Sequence, residues 1–216
     1  MSRYQWNPDV GASGRYRDTA TGRFVPGATV RRELDTYLRN SDDAARSLSQ
    51  SLRGGELSLA DWELAMRREV KRTHLNAIAL ERGGYANMTQ SDYGRAGQII
   101  RTQYGYLHQF AEDIGSGKQR LDGTIDRRAK LYTQAGRESF YASKHANAAD
   151  GVTMVRSIRH ASDSCDECID FDGVWYEIGD PAYKLPGDRV CNKNCLCEES
   201  YGTVDEDGSI IEVERA

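Results

Sequence analysis

Long apolar runs are absent from this sequence. No segment approaches the roughly 18 to 20 apolar residues that a membrane-spanning helix needs. The opening residues, MSRYQWNPDV, also lack the basic-then-apolar pattern of a secretory signal peptide. We therefore predict a soluble chain that stays in the compartment where it is made and has no membrane partner.

A strong positive charge is also absent. The 216 residues carry a formal net charge of −4, and residues 198–216 hold seven acidic side chains against Arg215. The rest of the chain is therefore close to neutral, with a net charge of +2. Nucleic-acid binding driven by overall charge normally needs a clearly basic surface. The composition argues against that class of protein and leaves room only for a small local basic face.

The chain divides by pattern into four parts. Residues 1–27 show neither helical nor alternating apolar periodicity and predict an extended arm. Helical spacing of apolar residues indicates a helical domain at 28–150, and short strand-like segments with cysteines indicate a module at 151–201, followed by an acidic tail at 202–216. The predicted fold class is mainly α, with a body of three or four helices followed by a small cysteine-rich α+β module.

Four helices are predicted in the helical domain from three- and four-residue apolar spacing. They run approximately over 29–52, 58–83, 89–115 and 123–148. In the third helix, Gly94, Gly97 and Gly105 each cost about 1 kcal/mol relative to alanine. We expect close packing of another helix to compensate for these glycines.

The fourth predicted helix has an excess of basic side chains. Residues 120–145 contain six basic and three acidic residues. An ordinary solvated face explains such an excess, and a contact with DNA or an acidic partner is the alternative. The basic side chains predicted to point mostly outward are Arg127, Arg128, Lys130, Arg137 and Lys144.

All five cysteines lie within residues 165–197. Their odd number and the missing export signal favour reduced thiols and a metal over a disulfide framework. A Cys-x-x-Cys turn directs two thiolates at one tetrahedral ion, and cysteines from a distant loop complete the shell. We predict one structural zinc site, with candidate ligands Cys165, Cys168, Cys191, Cys195 and Cys197.

The spacing leaves one ligand undecided. Cys165, Cys168 and Cys191 are the first choices, and either Cys195 or Cys197 fills the fourth position. Side chains two apart on a strand point the same way, so one of these two thiols coordinates the metal while the other packs nearby.

Three other interpretations of the cysteines are open. They are inert buried thiols, a disulfide pair, and a nucleophilic Cys165 or Cys168 assisted by His160. No orienting group or oxyanion loop is recognisable for a nucleophile. Four protein ligands also leave a zinc ion no open position for hydrolysis. We therefore predict no enzymatic activity and no small-molecule substrate.

Three parts of the sequence carry a family resemblance. They are YRDTATGRFV at 16–25; DYGRAG at 92–97 with QYGYL at 103–107; and HASD at 160–163, CDEC at 165–168, LPG at 185–187 and NCLC at 194–197. The chain resembles the minor head, or head morphogenesis, proteins of tailed bacteriophages in the broad Mu F-like family. Cys191 stands where many members have His, and Leu196 where many have Arg. Because Cys can replace His as a zinc ligand, the expected metal site is unaffected.

The resemblance implies a low-copy virion protein that associates with the portal or the inner capsid during head assembly. Its implied partners are the portal protein and the major capsid protein, with packaged DNA contacted through arginine-rich helical faces. The resemblance implies that the protein is in the host cytoplasm during assembly and in the head of the finished virion. We expect the arm at 1–27 to become ordered only in that assembly. From a different class, the alternative is a zinc-module regulator that binds nucleic acid, against which the acid-rich cysteine loops argue.

Overall fold

The computed structural model is mainly helical, with a small strand-rich C-terminal part, as the sequence predicts. It describes residues 4–7, 15–148, 151–160, 162, 164–191 and 195–215. The helices in these ranges are α1 (Gly27–Arg53), α2 (Leu59–Glu81), α3 (Gln90–Gly115), α4 (Thr124–Gln134), α5 (Gly136–Ala146) and the short α6 (Asp166–Asp170), with a 3-10 turn at Tyr85–Asn87. The strands are β1 (Tyr4–Asn7), β2 (Arg15–Asp18), β3 (Phe24–Val25), β4 (Met154–Ile158), β5 (Trp175–Glu177), β6 (Glu198–Val204) and β7 (Ile210–Arg215).

Local capping fixes the starts of α2 and α3. The hydroxyl of Ser58 accepts a hydrogen bond from the backbone N–H of Asp61 at 3.1 Å. Thr89 and Asp92 form a reciprocal capping box, in which each side chain accepts the other residue's backbone N–H, at 3.2 and 2.8 Å. These bonds satisfy amides that a helix start leaves without partners. Both helices begin where the sequence predicts.

The fourth predicted helix is two helices, α4 and α5, which meet at Ala135. Gly136 lies so close to α1 and α2 that a Cβ there would be 2.7 Å from Thr73 Cγ2 and 2.9 Å from Leu38 Cδ2. This contact fixes the start of α5 against the two longer helices. The apolar spacing carries no signal for it because it depends on residues far away in the chain.

Aromatic side chains fill the middle of the helical body. The ring of Trp62 meets Phe110 edge-on at 5.4 Å, and Phe110 stacks on Tyr132 at 6.1 Å. Trp62 and Phe110 are completely buried. Large buried aromatic groups of this kind contribute much of the apolar area removed from water.

The glycines of α3 do not pack as expected. A Cβ added at Gly94, Gly97 or Gly105 would meet no atom within 4 Å. Close packing of another helix within the described ranges therefore does not explain these glycines, and that prediction is wrong.

The described residues of the predicted arm form strands that pack on the body. Strands β1, β2 and β3 make an antiparallel sheet in that order. Tyr4 and Tyr16 are buried in a cluster with Val30 and Leu34 of α1. An extended arm that becomes ordered only in an assembly does not account for this sheet, whose strands of two to four residues are too short for a periodic signal in the sequence. Residues 1–3 and 8–14 of the predicted arm lie outside the described residues.

The C-terminal module contains an antiparallel sheet with the order β5-β4-β6-β7. Strands β4 and β5 lie in the module at 151–201, where the sequence indicates short strand-like segments. The segment predicted as an acidic tail instead supplies the end of β6 and all of β7, joined by a turn in which the Gly208 N–H donates to the Asp205 carbonyl at 3.1 Å. Val204 lies opposite Ile210 in this strand pair. The pairing could not be predicted from the sequence, because the acidic residues of the turn make the segment resemble an unstructured tail.

Two basic side chains predicted to point outward are buried instead. Arg137 is 4% exposed and its Nη2 atom lies 2.6 Å from Asp35 Oδ1 of α1. Lys144 is also 4% exposed, with Nζ 4.6 Å from the centre of the Tyr201 ring in the module. These two members of the basic excess therefore serve internal contacts of α5 with α1 and with the module, whereas Arg127 is exposed.

Buried polar groups line the contact between α2 and α5. His74 Nδ1 lies 2.6 Å from Ser139 Oγ, and the Ser143 hydroxyl donates to Glu81 at 2.6 Å. Burial raises the pKa of Glu81 to about 7, although the Ser143 hydroxyl and the charge of Arg82 oppose this change. A carboxyl group in this position favours the protonated form.

We expect Glu81→Gln to stabilise the protein at pH 8 and to have less effect at pH 5. The pKa of Glu81 rises from its ordinary 4.5 to about 7 on folding, so the folded state binds the proton more tightly. The free energy of unfolding therefore falls as the pH rises through this window, by a total on the order of 3 kcal/mol. The neutral amide removes this loss.

Urea unfolding of the wild-type protein and the variant at both pH values measures this effect. Glu112→Gln is the matched control because Glu112 is exposed on α3. Equal stabilisation of the Glu81 variant at pH 5 and pH 8 would contradict the prediction.

Candidate metal centre

The first cysteine pair lies at the start of α6. Cys165 is the N-cap residue, and its carbonyl accepts the backbone N–H of Ile169 at 3.1 Å. Cys168 lies within the first turn and is buried, whereas Cys165 is half-buried. One short helical turn thus brings both thiols to the same side of the chain.

The other three cysteines come from the segment that leads into β6. Cys191 is half-buried, while Cys195 and Cys197 are buried. Leu196, between these two, is 59% exposed. The two flanking thiols point inward together, as the alternation of side chains along an extended segment requires.

Cys168 is at the centre of the cluster. Its Sγ atom lies 3.5 Å from Sγ of Cys191 and 3.7 Å from Sγ of Cys195. The sulfurs of Cys165, Cys168 and Cys191 lie within 4.8 Å of one another, and so do those of Cys168, Cys195 and Cys197. A tetrahedral site with metal–sulfur bonds of about 2.3 Å has sulfur–sulfur edges of about 3.8 Å. The five cysteines could therefore hold a metal ion, with Cys168 common to both groups.

The surroundings favour a negative charge at Cys195. A hydrogen bond from the Cys197 thiol is the main reason that the pKa of Cys195 falls to about 5. The backbone N–H groups of Cys197 and Gly187 and the charge of Arg189 add to this effect, against burial. Burial is the main cause that raises the pKa of Cys191. Since a metal ion binds thiolates, its binding would release the protons that the other cysteines hold.

Arg189 is a buried cation beside the cysteines. It is 1% exposed, and its Nη1 atom donates to Ser157 Oγ at 2.8 Å and to Cys168 Sγ at 3.8 Å. Its Nε donates to the Lys184 carbonyl at 3.0 Å. The burial of Arg189 could not be predicted from the sequence, because an arginine in a loop is normally exposed. Its place two residues before Cys191 was the available signal.

Glu167 connects the two cysteine segments. Its Oε1 atom accepts a hydrogen bond from Lys184 Nζ, and its Oε2 atom accepts one from the Val190 backbone N–H, both at 2.5 Å. Lys184 first, and then this N–H, lower the pKa of Glu167. Val190 precedes Cys191, so the side chain of Glu167 holds the second segment against the first. The local sequence carries no signal for this contact, because Lys184 and Val190 lie 17 and 23 residues after Glu167.

His160 lies outside both groups of cysteine sulfurs. Its Nε2 atom is 2.9 Å from Glu198 Oε1, and Glu198 also pairs with Arg31 of α1. The imidazole that a nucleophilic Cys165 or Cys168 would need is thus directed at a carboxylate. All five cysteines are free thiols, so none of them forms the alternative disulfide.

The residue after Glu198 joins the module to the helical body. Glu199 is fully buried, with Oε2 3.0 Å from His145 Nε2 of α5. It also accepts hydrogen bonds from the hydroxyls of Tyr183, at 3.0 Å, and Tyr201. Burial alone would raise the pKa of Glu199, but His145 and the two hydroxyls lower it further than burial raises it. This carboxylate lies two residues after Cys197, so the cysteine cluster and the junction share one short segment.

Comparison with known proteins gives no relative for this chain. No protein-family model, no curated protein and no solved structure matches it. In the ranges that the structure describes, no helix has the length and apolar character needed to cross a membrane. The cysteine cluster and the residues around it are therefore the basis for a functional proposal.

We expect Cys168→Ser to weaken metal binding more than Cys195→Ser or Cys197→Ser. Cys168 belongs to both groups of sulfurs, so its loss separates them, whereas either of the other changes leaves four thiols that include Cys168. Titration with Co²⁺, followed by the absorption of thiolate-bound cobalt, measures the affinity of each variant. Tight cobalt binding by Cys168→Ser, equal to that of the wild-type protein, would contradict this prediction.

Proposed function

We propose that the cluster binds one structural zinc ion through Cys165, Cys168, Cys191 and either Cys195 or Cys197. The donor set consists of sulfur, and tetrahedral sulfur sites typically hold zinc or iron. Four protein ligands leave no position for a reactive water, which favours a structural over a hydrolytic role. Cys168 Sγ lies 3.5 Å from Cys191 Sγ and 3.7 Å from Cys195 Sγ, which are suitable edges for such a site, although the sulfurs form two groups of three that share Cys168.

The module has a physical need for such an ion. Among the residues that the structure describes, its apolar cluster has five buried members, with a few partly buried side chains packed against them; the five are Val152, Val155, Phe171, Tyr183 and Tyr201. A core of this size stabilises a small domain only weakly. Structural zinc contributes on the order of 10 to 16 kcal/mol in finger peptides at neutral pH. Zinc binding would thus supply the stability that the apolar cluster lacks.

We further propose that the protein is a non-catalytic assembly component of a phage head, at low copy number beside the portal or the inner capsid. The observation that carries this proposal concerns residues 160–201, the segment whose motifs resemble the phage head proteins most specifically. Its cysteines form the candidate metal centre, and its Tyr201 contacts the buried Glu199 at the junction with the helices. A segment devoted to one ion and one internal junction suits a structural protein. Its partners would be the portal and major capsid proteins.

The nucleic-acid-binding alternative has less support. Arg137 and Lys144 are buried in internal contacts, which reduces the basic surface available on α5. Any contact with packaged DNA would depend on other basic residues, such as the exposed Arg127 of α4. We therefore favour protein partners in the head over a regulatory role on nucleic acid.

Elemental mass spectrometry of the purified protein tests the zinc proposal. We expect about one zinc ion per chain, since one tetrahedral shell uses four of the five thiols. A strong chelator should lower the melting temperature, and added Zn²⁺ should restore it. Iron in place of zinc would contradict the identity of the metal. The absence of any bound metal, with an unchanged melt, would contradict the site itself.

Quantitative mass spectrometry of purified phage particles tests the assembly proposal. Phage particles are purified from cells that carry the gene for this protein. We expect each particle to contain far fewer copies of it than of the major capsid protein. Cys168→Ser should reduce its incorporation, and Glu112→Gln serves as the control on the exposed face of α3. Wild-type protein that is made in the cell but absent from particles and from head precursors would contradict a role in the head.

A further inference from the structure

We propose that Arg189 is the positioning residue of the thiolate site, whose buried guanidinium holds Cys168 and offsets part of the negative charge of the metal–thiolate centre. This inference rests on the proposed zinc site and concerns a residue that is not a ligand.

The module fixes the guanidinium independently of the cysteines. Ser157 of β4 accepts from Nη1 at 2.8 Å, the Lys184 carbonyl accepts from Nε at 3.0 Å, and the Tyr183 hydroxyl lies 3.4 Å from Nη2. An arginine side chain is a planar fork with five N–H donors, so three such contacts define its orientation. The same Nη1 atom then faces Cys168 Sγ at 3.8 Å.

The buried charge of Arg189 is unfavourable unless a negatively charged group lies nearby. The guanidinium carbon lies 4.8 Å from the centre of the Phe171 ring and 5.6 Å from that of Tyr183. The hydrogen bonds given above for Nε and the two Nη atoms go to neutral oxygens. Burying a cation is unfavourable unless an opposite charge compensates for it. Two anionic groups lie near it: Glu167, whose pKa the charge of Arg189 helps to lower, and the thiolate cluster, which the guanidinium contacts directly through Cys168.

The thiolate centre needs a cation for the matching reason. One Zn²⁺ with four thiolates has a net charge of about −2, which burial makes unfavourable. The guanidinium lowers the magnitude of this charge, and the backbone N–H groups of Gly187 and Cys197 support the sulfur of Cys195. Groups that act on ligands in this way commonly change metal affinity by roughly 10- to 100-fold when they are altered. Arg189 therefore contributes to zinc affinity as well as to packing.

Substitutions separate the charge of Arg189 from its shape. Arg189→Met keeps much of the apolar length and removes the charge, whereas Arg189→Lys keeps the charge and loses the fork. Arg156→Met is the matched control, because Arg156 stacks on Trp175 at 4.7 Å and pairs with Glu212 within the same sheet. Circular dichroism in excess zinc checks that each variant retains its fold.

The measurements are the zinc dissociation constant, by competition with a chromophoric chelator, and the pH at which half of the zinc is released. For Arg189→Met we expect affinity weaker by roughly 10- to 100-fold. Zinc release should also move to higher pH, because protons compete better for thiolates that have lost a neighbouring cation. Arg189→Lys should return the release pH toward the wild-type value, and Arg156→Met should change neither quantity.

An affinity and release pH for Arg189→Met equal to those of the wild-type protein would overturn the proposal. If that variant does not fold in excess zinc, Arg189→Lys decides. A release pH near the wild-type value supports the role of the charge, and a release pH well above it, or no zinc binding, overturns that role. A wild-type protein that binds no zinc would instead overturn the site itself, so the two failures are distinguishable.

Discussion

Five thiols crowded around Cys168 impose the main electrostatic constraint on the module. Thiolates this close repel one another, and burial makes their charges still less favourable unless cations and hydrogen-bond donors compensate. The surrounding loops provide such groups, including the buried guanidinium of Arg189 and the backbone N–H of Gly187. Glu167 then holds the two cysteine segments together through the Val190 amide. Polar contacts around sulfur thus hold the two cysteine segments in place beside the sheet and the apolar cluster of the module.

The same constraint extends to the helical body through the start of β6. Cys197 belongs to the cluster, Glu198 pairs with Arg31 of α1, and Glu199 contacts His145 of α5. Three consecutive residues therefore serve the cysteine cluster and two different helices. A change in the position of the cysteines would move both carboxylates, and buried ion pairs tolerate such displacement poorly.

Features that depend on nearby residues could be predicted from the sequence. Ser58 and Thr89 cap their helices through residues three positions away, and the cysteine spacing signals a metal site by itself. Features that depend on distant residues could not. The break before Gly136 and the burial of Arg137 come from packing against other helices, and the role of Arg189 depends on a strand about thirty residues earlier. The local pattern of residue types does not predict such long-range contacts.

The adjacency of the cysteines and the junction residues also has a consequence for the order of folding. A metal that joins Cys165 to Cys195 or Cys197 would close a chain segment of moderate length, and the entropy lost in closing such a segment grows only slowly with its length. Once it is closed, the first residues of β6 have lost most of their conformational freedom. Docking on the helices then orders few additional residues. We expect the metal to join the cysteine segments before the module packs against the helical body. Glu199 would then become buried in that second step.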